Sequence, residues 1–125
     1  MASDRLEAIF AMRLEFLAAM KEHIPAVQPD FPIEISSKEG QQYCRDIALR
    51  GVEEMFEALQ HLKNWKTHRL TDVPDFDRDK FLEEVVDAFN YFFALLIAVD
   101  CDADEFFDAF EKKDKIIHRR INSKY

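Results

Sequence analysis

At 125 residues the chain is long enough to bury an apolar core without disulfides or structural metals, and it calls for one domain. Two glycines, four prolines and 48% hydrophobic residues leave little turn chemistry for hairpins and predict an all-α fold. The net charge of −8 argues against wrapping nucleic acid, and two cysteines, Cys44 and Cys101, with no CxxC pair, argue against a zinc ribbon or a secreted disulfide framework. The charged start is unlike a signal peptide and the longest aliphatic run, Ala94 to Val99, is too short to cross a bilayer, so a cytoplasmic protein with no membrane partner is expected.

Four helices follow from apolar spacing and end signals. The first runs from Ser3 or Asp4 to His23, with Leu6, Ile9, Phe10, Arg13, Leu14, Phe16, Leu17 and Met20 on a mainly apolar face, and Pro25 stops it. Pro25, Pro29 and Pro32 make an extended connector. Ser36 and Glu39 have capping-box spacing, which starts a second helix expected to reach Lys66. Within it Gly51 stands just before an acidic cluster, where a missing side chain permits close approach of another helix or a ligand. A loop from Thr67 to Phe76 contains Pro74. Asp77 caps a third helix, Arg78 to Val99, and Asp102 with Glu105 caps a fourth that ends near Asn122. The short turn between the last two predicts antiparallel neighbours, and the whole predicts a bundle of four to five helices.

The chemistry-bearing pattern is Glu53-Glu54-x-x-Glu57 on the second helix and Glu84-x-x-Asp87 on the third. Positions three apart lie on adjacent turns of one face, so each pair presents two carboxylates together. Glu84 and Asp87 share a stripe with Ala88, Tyr91, Leu95 and Ala98, and Glu54 and Glu57 share one with Tyr43, Ile47, Ala58 and Trp65, so the acids are expected to face inward. Crowded, desolvated carboxylates need protons or a cation. Oxygen donors without thiols select Mg²⁺, with Mn²⁺ as a substitute. A di-iron bundle would need Glu-x-x-His, which the sequence lacks. Of the four histidines only His61, one turn beyond Glu57, stands near the acidic pattern.

EExxE, a spacer and ExxD together resemble the signature of the all-α nucleoside triphosphate pyrophosphohydrolases, which include MazG-like enzymes, dimeric dUTPases and phosphoribosyl-ATP pyrophosphohydrolases. The likeness spans roughly Arg50 to Tyr125. It extends to Lys63-Asn64-Trp65-Lys66, similar to a Lys-x-Trp-Lys segment of dimeric dUTPases, and to Lys113, Arg120 and Tyr125 near the C-terminus. The resemblance implies a MazG-like bundle, homodimeric or homotetrameric, with Mg²⁺ held by Glu54, Glu57, Glu84 and Asp87 and a nucleoside triphosphate as substrate. It implies that Glu53 and Glu54 serve catalysis, that Lys63, Lys66, Lys113 and Arg120 meet phosphates, and that Tyr125 helps close the site. Asn90 would bond the sugar or a metal-bound water, and Trp65 would stack on the base. dUTP, dCTP, the purine dNTPs dATP and dGTP, and damaged nucleotides all stay open as substrates, and the rival from another class is a non-enzymatic helical interaction module with solvated acidic faces.

Overall fold

The computed structural model describes residues 4–26, 29–70 and 75–123, and its elements are α1 (Arg5–His23), α2 (Lys38–Leu59), α3 (Arg78–Ala98) and α4 (Ala103–Asn122). Among the described residues there is no strand, and no helix is long and apolar enough to cross a membrane. The chain is therefore all-helical. Pro74, Lys124 and Tyr125 lie outside the described residues.

Helix starts follow the sequence closely because each begins on a side chain that satisfies backbone donors the helix cannot. The Asp4 carboxylate accepts from the N–H groups of Leu6 at 3.0 Å and Glu7 at 3.3 Å, Asp77 accepts from Lys80 at 3.1 Å, and Asp102 accepts from Glu105 at 2.8 Å. The start of α2 differs from expectation by one residue. Its cap is Ser37, whose hydroxyl accepts from the Gly40 N–H at 2.9 Å and donates to the Glu34 carbonyl at 2.8 Å. Ser36 is drawn away from that role, because its hydroxyl donates to the Glu34 carboxylate at 2.5 Å.

The larger correction is at the other end of α2, which stops at Leu59 and not at Lys66. Nothing in Gln60 to Lys66 breaks a helix by composition. Instead the N–H groups of Gln60, His61 and Leu62 turn back to the carbonyls of Glu57, Ala58 and Leu59, a tightening to three-residue spacing that ends the helix. His61, freed from the helical path, meets Glu84 across on α3, with Nε2 3.4 Å from Oε1.

Contacts divide the chain into two units, one joining Met1–Ile33 to Leu96–Tyr125 and the other comprising Glu34–Leu95. In the first, α1 packs against α4. Phe10 and Leu17 are its buried anchors, and the Phe10 ring lies 6.4 Å from that of Phe106, which in turn meets Phe110 edge-on. The end of α3 also belongs here. Asp100 takes a left-handed φ of 64°, the N–H of Asp100 returns to Ile97 and that of Cys101 to Leu96, both at 2.9 Å, so a Schellman cap closes the helix with an aspartate where glycine is usual. The Ile33 N–H then satisfies the Ala98 carbonyl at 2.8 Å, which ties the proline connector to that cap.

In the second unit α2 and α3 run antiparallel, since Gly51 meets Phe92 while His61, ten residues further along the chain and just past the end of α2, meets Glu84, eight residues earlier on α3. Buried Gly40, Cys44, Ile47, Gly51 and Ala58 recur at spacings of three and four on α2, with Glu54 completing the series, and buried Ala88 lies on the matching line of α3. Gly51 has a specific reason to be glycine. A Cβ built there would sit 2.5 Å from the edge of the Phe92 ring, so the ring occupies the space a side chain would need.

Candidate functional site

One turn beyond the Gly51–Phe92 contact, the α2–α3 seam changes from apolar to acidic. Glu54 sits on the seam between Gly51 and Ala58 and is half-buried, as is Glu84 on the facing helix. Glu57 and Asp87, one turn along each helix, are exposed at the rim. Only half of the expected inward orientation is therefore realised. The two helices are held close by small residues, and the acids at the seam inherit that closeness.

The consequence is electrostatic. Partial desolvation pushes the Glu54 carboxyl above its ordinary pKa, a hydrogen bond to Glu57 acts in the same direction, and the negative charges of Glu57, Asp87 and Glu84 add to it. Glu57, Asp87 and Glu84 therefore all lie within electrostatic reach of Glu54. Glu84 also has His61 beside it. Among the described residues, no three His, Cys, Asp or Glu side chains are gathered tightly enough to grip an ion. The two rim acids are exposed, so their rotamers exchange on the fast timescale of surface side chains.

An open groove of about 480 Å³ adjoins Glu54, lined by Asp46, Leu49, Arg50, Glu53, Glu54 and Tyr91. Glu53, exposed on α2, therefore shares a recess with Glu54. Arg50 and Asp46 were not singled out by sequence reasoning, and Tyr91 was placed only on the stripe of Glu84 and Asp87, without a role at the site. The signal was there: Arg50 precedes Glu54 by four residues and Tyr91 follows Asp87 by four, the spacing that stacks side chains on one helix face. Arg50 gives the groove a cation among three carboxylates.

The remaining expected residues are dispersed. Asn90 is half-buried on α3. Lys63, Trp65 and Lys66 follow the end of α2 in an irregular segment, with Trp65 70% exposed and the Lys66 ammonium 5.3 Å from its ring. Lys113 and Arg120 are exposed on α4, in the other unit. Tyr125 lies outside the described residues.

What the arrangement defines is an all-helical chain whose antiparallel helix pair carries an acidic cluster at its seam. Comparison with protein-family models, with curated proteins and with solved structures found no match for the chain.

Proposed function

We propose that this chain is a magnesium-dependent nucleoside triphosphate pyrophosphohydrolase, acting on a (deoxy)nucleoside triphosphate, in a MazG-like homodimer or dimer of dimers. The observation that carries the reading is geometric: Glu54 and Glu84 stand half-buried on facing helices of one seam, with Glu57 and Asp87 exposed at its rim and near enough to raise the Glu54 pKa. Such a cluster is stabilised by a proton or by a cation, and near neutral pH a divalent cation is the stronger remedy. The donor set fits a hard ion, since every group is a carboxylate oxygen. Glu54, Glu57, Glu84 and Asp87 would hold Mg²⁺, or Mn²⁺ in its place. When bound, the ion supplies positive charge opposite the triphosphate and a more acidic water.

The protein's own groups have separable tasks. Glu53, in the same groove as Glu54, accepts the proton of the attacking water. The new bond joins that water's oxygen to phosphorus and the α–β phosphoanhydride bond breaks, so one water and one triphosphate give a monophosphate and pyrophosphate. Lys63, Lys66, Lys113 and Arg120 are assigned to phosphate oxygens, where a guanidinium makes paired contacts. Asn90 is assigned to the sugar, Trp65 to the base, and Tyr125 to closing the site. The exposed Trp65 ring supports that assignment, because a stacking platform must be open in the free protein.

The test is a panel of canonical and modified (d)NTPs assayed for pyrophosphate with Mg²⁺ and with Mn²⁺. Turnover of at least one member, abolished by chelator, is expected. No turnover on any member would leave the non-enzymatic interaction module as the surviving account.

A further inference from the structure

The proposed chemistry uses no histidine, yet one stands on the line of the acids. Ile47, Gly51, Glu54, Ala58 and His61 recur at spacings of three and four, so His61 is the next seam position after Ala58. α2 ends two residues before it, at Leu59, and the His61 N–H returns to the Ala58 carbonyl at 3.1 Å, which keeps the residue beside the seam after the helix has stopped. Its Nε2 lies 3.4 Å from Oε1 of Glu84 on α3. The two side chains are 23% and 31% exposed, against 54% to 70% for Lys115–Glu111 and His118–Asp114 on α4, so solvent screens the His61–Glu84 contact less than those surface pairs.

We propose that His61 is a positioning residue for the cation site: its Nε2–H donates to Oε1 of Glu84 and holds that carboxylate in place, with the second oxygen left for the ion. The inference rests on the cation site in the reading above and adds a residue that acts on it through Glu84. A glutamate has three rotatable bonds and loses their freedom when it grips an ion, so a carboxylate already oriented by a donor has less left to lose. The contact is long for a formed N–H···O bond, which spans roughly 2.7–3.2 Å, and a shift of a few tenths of an ångström closes it. A neutral imidazole suits the task, because a proton on Nε2 supplies the donor and brings no positive charge toward the ion. Direct ligation by His61 fits less well. Mg²⁺ is a hard ion that takes oxygen ligands, and the nitrogen nearest the cluster already faces Glu84.

Titration of the full chain with Mn²⁺, without nucleotide, tests this through the loss of the free aquo-ion signal in electron paramagnetic resonance. His61→Phe keeps a ring on the seam and removes the donor, and it is expected to raise the Mn²⁺ dissociation constant about tenfold or more. His61→Gln, which returns an N–H donor at similar reach, should recover most of that loss. Should His61→Phe fail to fold, His61→Leu serves as the donor-less variant. An unchanged Mn²⁺ constant in the donor-less variant, with a lower thermal midpoint of the chelator-treated chain, makes the pair a structural contact and overturns the proposal. So does a loss that His61→Gln fails to recover, or nitrogen coupling to bound Mn²⁺ in pulsed spectra, which makes His61 a ligand. The two readings fail separately. A wild-type chain that leaves the Mn²⁺ signal undiminished removes the cation site and this role with it, whereas binding that Glu54→Gln abolishes and His61→Phe retains removes the positioning role alone.

Discussion

Two stretches of the same α2–α3 seam, one helical turn apart, are built on opposite terms. Around Gly51 the helices meet by removal of a side chain, and the Phe92 ring fills the space. Around Glu54 the approach is kept, but the groups brought together are carboxylates, and partial desolvation with the charges of its neighbours raises the Glu54 pKa. The first stretch gains from closeness and the second is destabilised by it. A seam built only for stability would carry apolar or paired residues throughout, and the proposed cation site gives the acidic turn a reason to depart from that pattern.

Changes in the acidic turn are expected to have the largest effect. Glu54→Gln and Asp87→Asn each remove a charge without removing volume, and pyrophosphate release is expected to fall by about 100-fold or more in either, as for loss of a group that stabilises a transition state. Steady-state assays at saturating Mg²⁺ check this, and both variants should fold at least as well as the parent. Gly51→Ala acts on the other stretch. Alanine favours a helix over glycine by roughly 1 kcal/mol, yet the new Cβ meets the Phe92 ring, so a net loss of about 1–3 kcal/mol in urea denaturation is expected, much of it restored by Phe92→Leu in the same chain.

Smaller effects sharpen the picture of what holds the helix ends. Ser37→Ala should cost about 1 kcal/mol and Ser36→Ala markedly less, because only Ser37 satisfies a backbone donor of α2. Asp100→Gly should stabilise by roughly 0.5–1 kcal/mol, since glycine adopts a φ of 64° without the steric cost an aspartate bears. Both are read from thermal or denaturant midpoints.

The two kinds of carboxylate also separate by pH. Glu54 titrates above its ordinary range in the folded chain, so the cation-free protein binds more protons folded than unfolded in that window. Its stability should therefore fall as pH rises through the raised pKa, and the gain should be complete below the ordinary carboxylate value. Glu34 is opposite in sign, because the Ser36 hydroxyl and N–H hold its carboxyl below the usual range and its contribution is lost as pH falls through that lowered value. Glu54→Gln should flatten the upper window alone, as followed by thermal melts across pH.

Most helix boundaries were legible because their signals are local. Asp4, Asp77 and Asp102 sit where a cap must sit, and Pro25 ends α1 by removing a donor. The end of α2 was not legible, because Gln60 to Lys66 are adequate helix formers and what diverts them includes a partner on another helix, Glu84. Glu54 and Glu84 on a shared seam followed from helical spacing, as did the value of Gly51. The exposure of Glu57 and Asp87 did not, since spacing fixes the face a residue lies on but not how far the neighbouring helix extends over it. Arg50 was passed over although its spacing from Glu54 was legible, because only the folded chain opens the groove that gives that spacing a use.

The central claim is that the acidic turn is a cation site, and it is tested most directly by the thermal midpoint of the chelator-treated chain on addition of Mg²⁺ or Mn²⁺. The account predicts a saturable rise, corresponding to about 2.7 kcal/mol at a hundredfold excess over the dissociation constant, that is lost in Glu54→Gln and in Asp87→Asn. A midpoint that neither ion moves, or a rise that both variants retain, would contradict it.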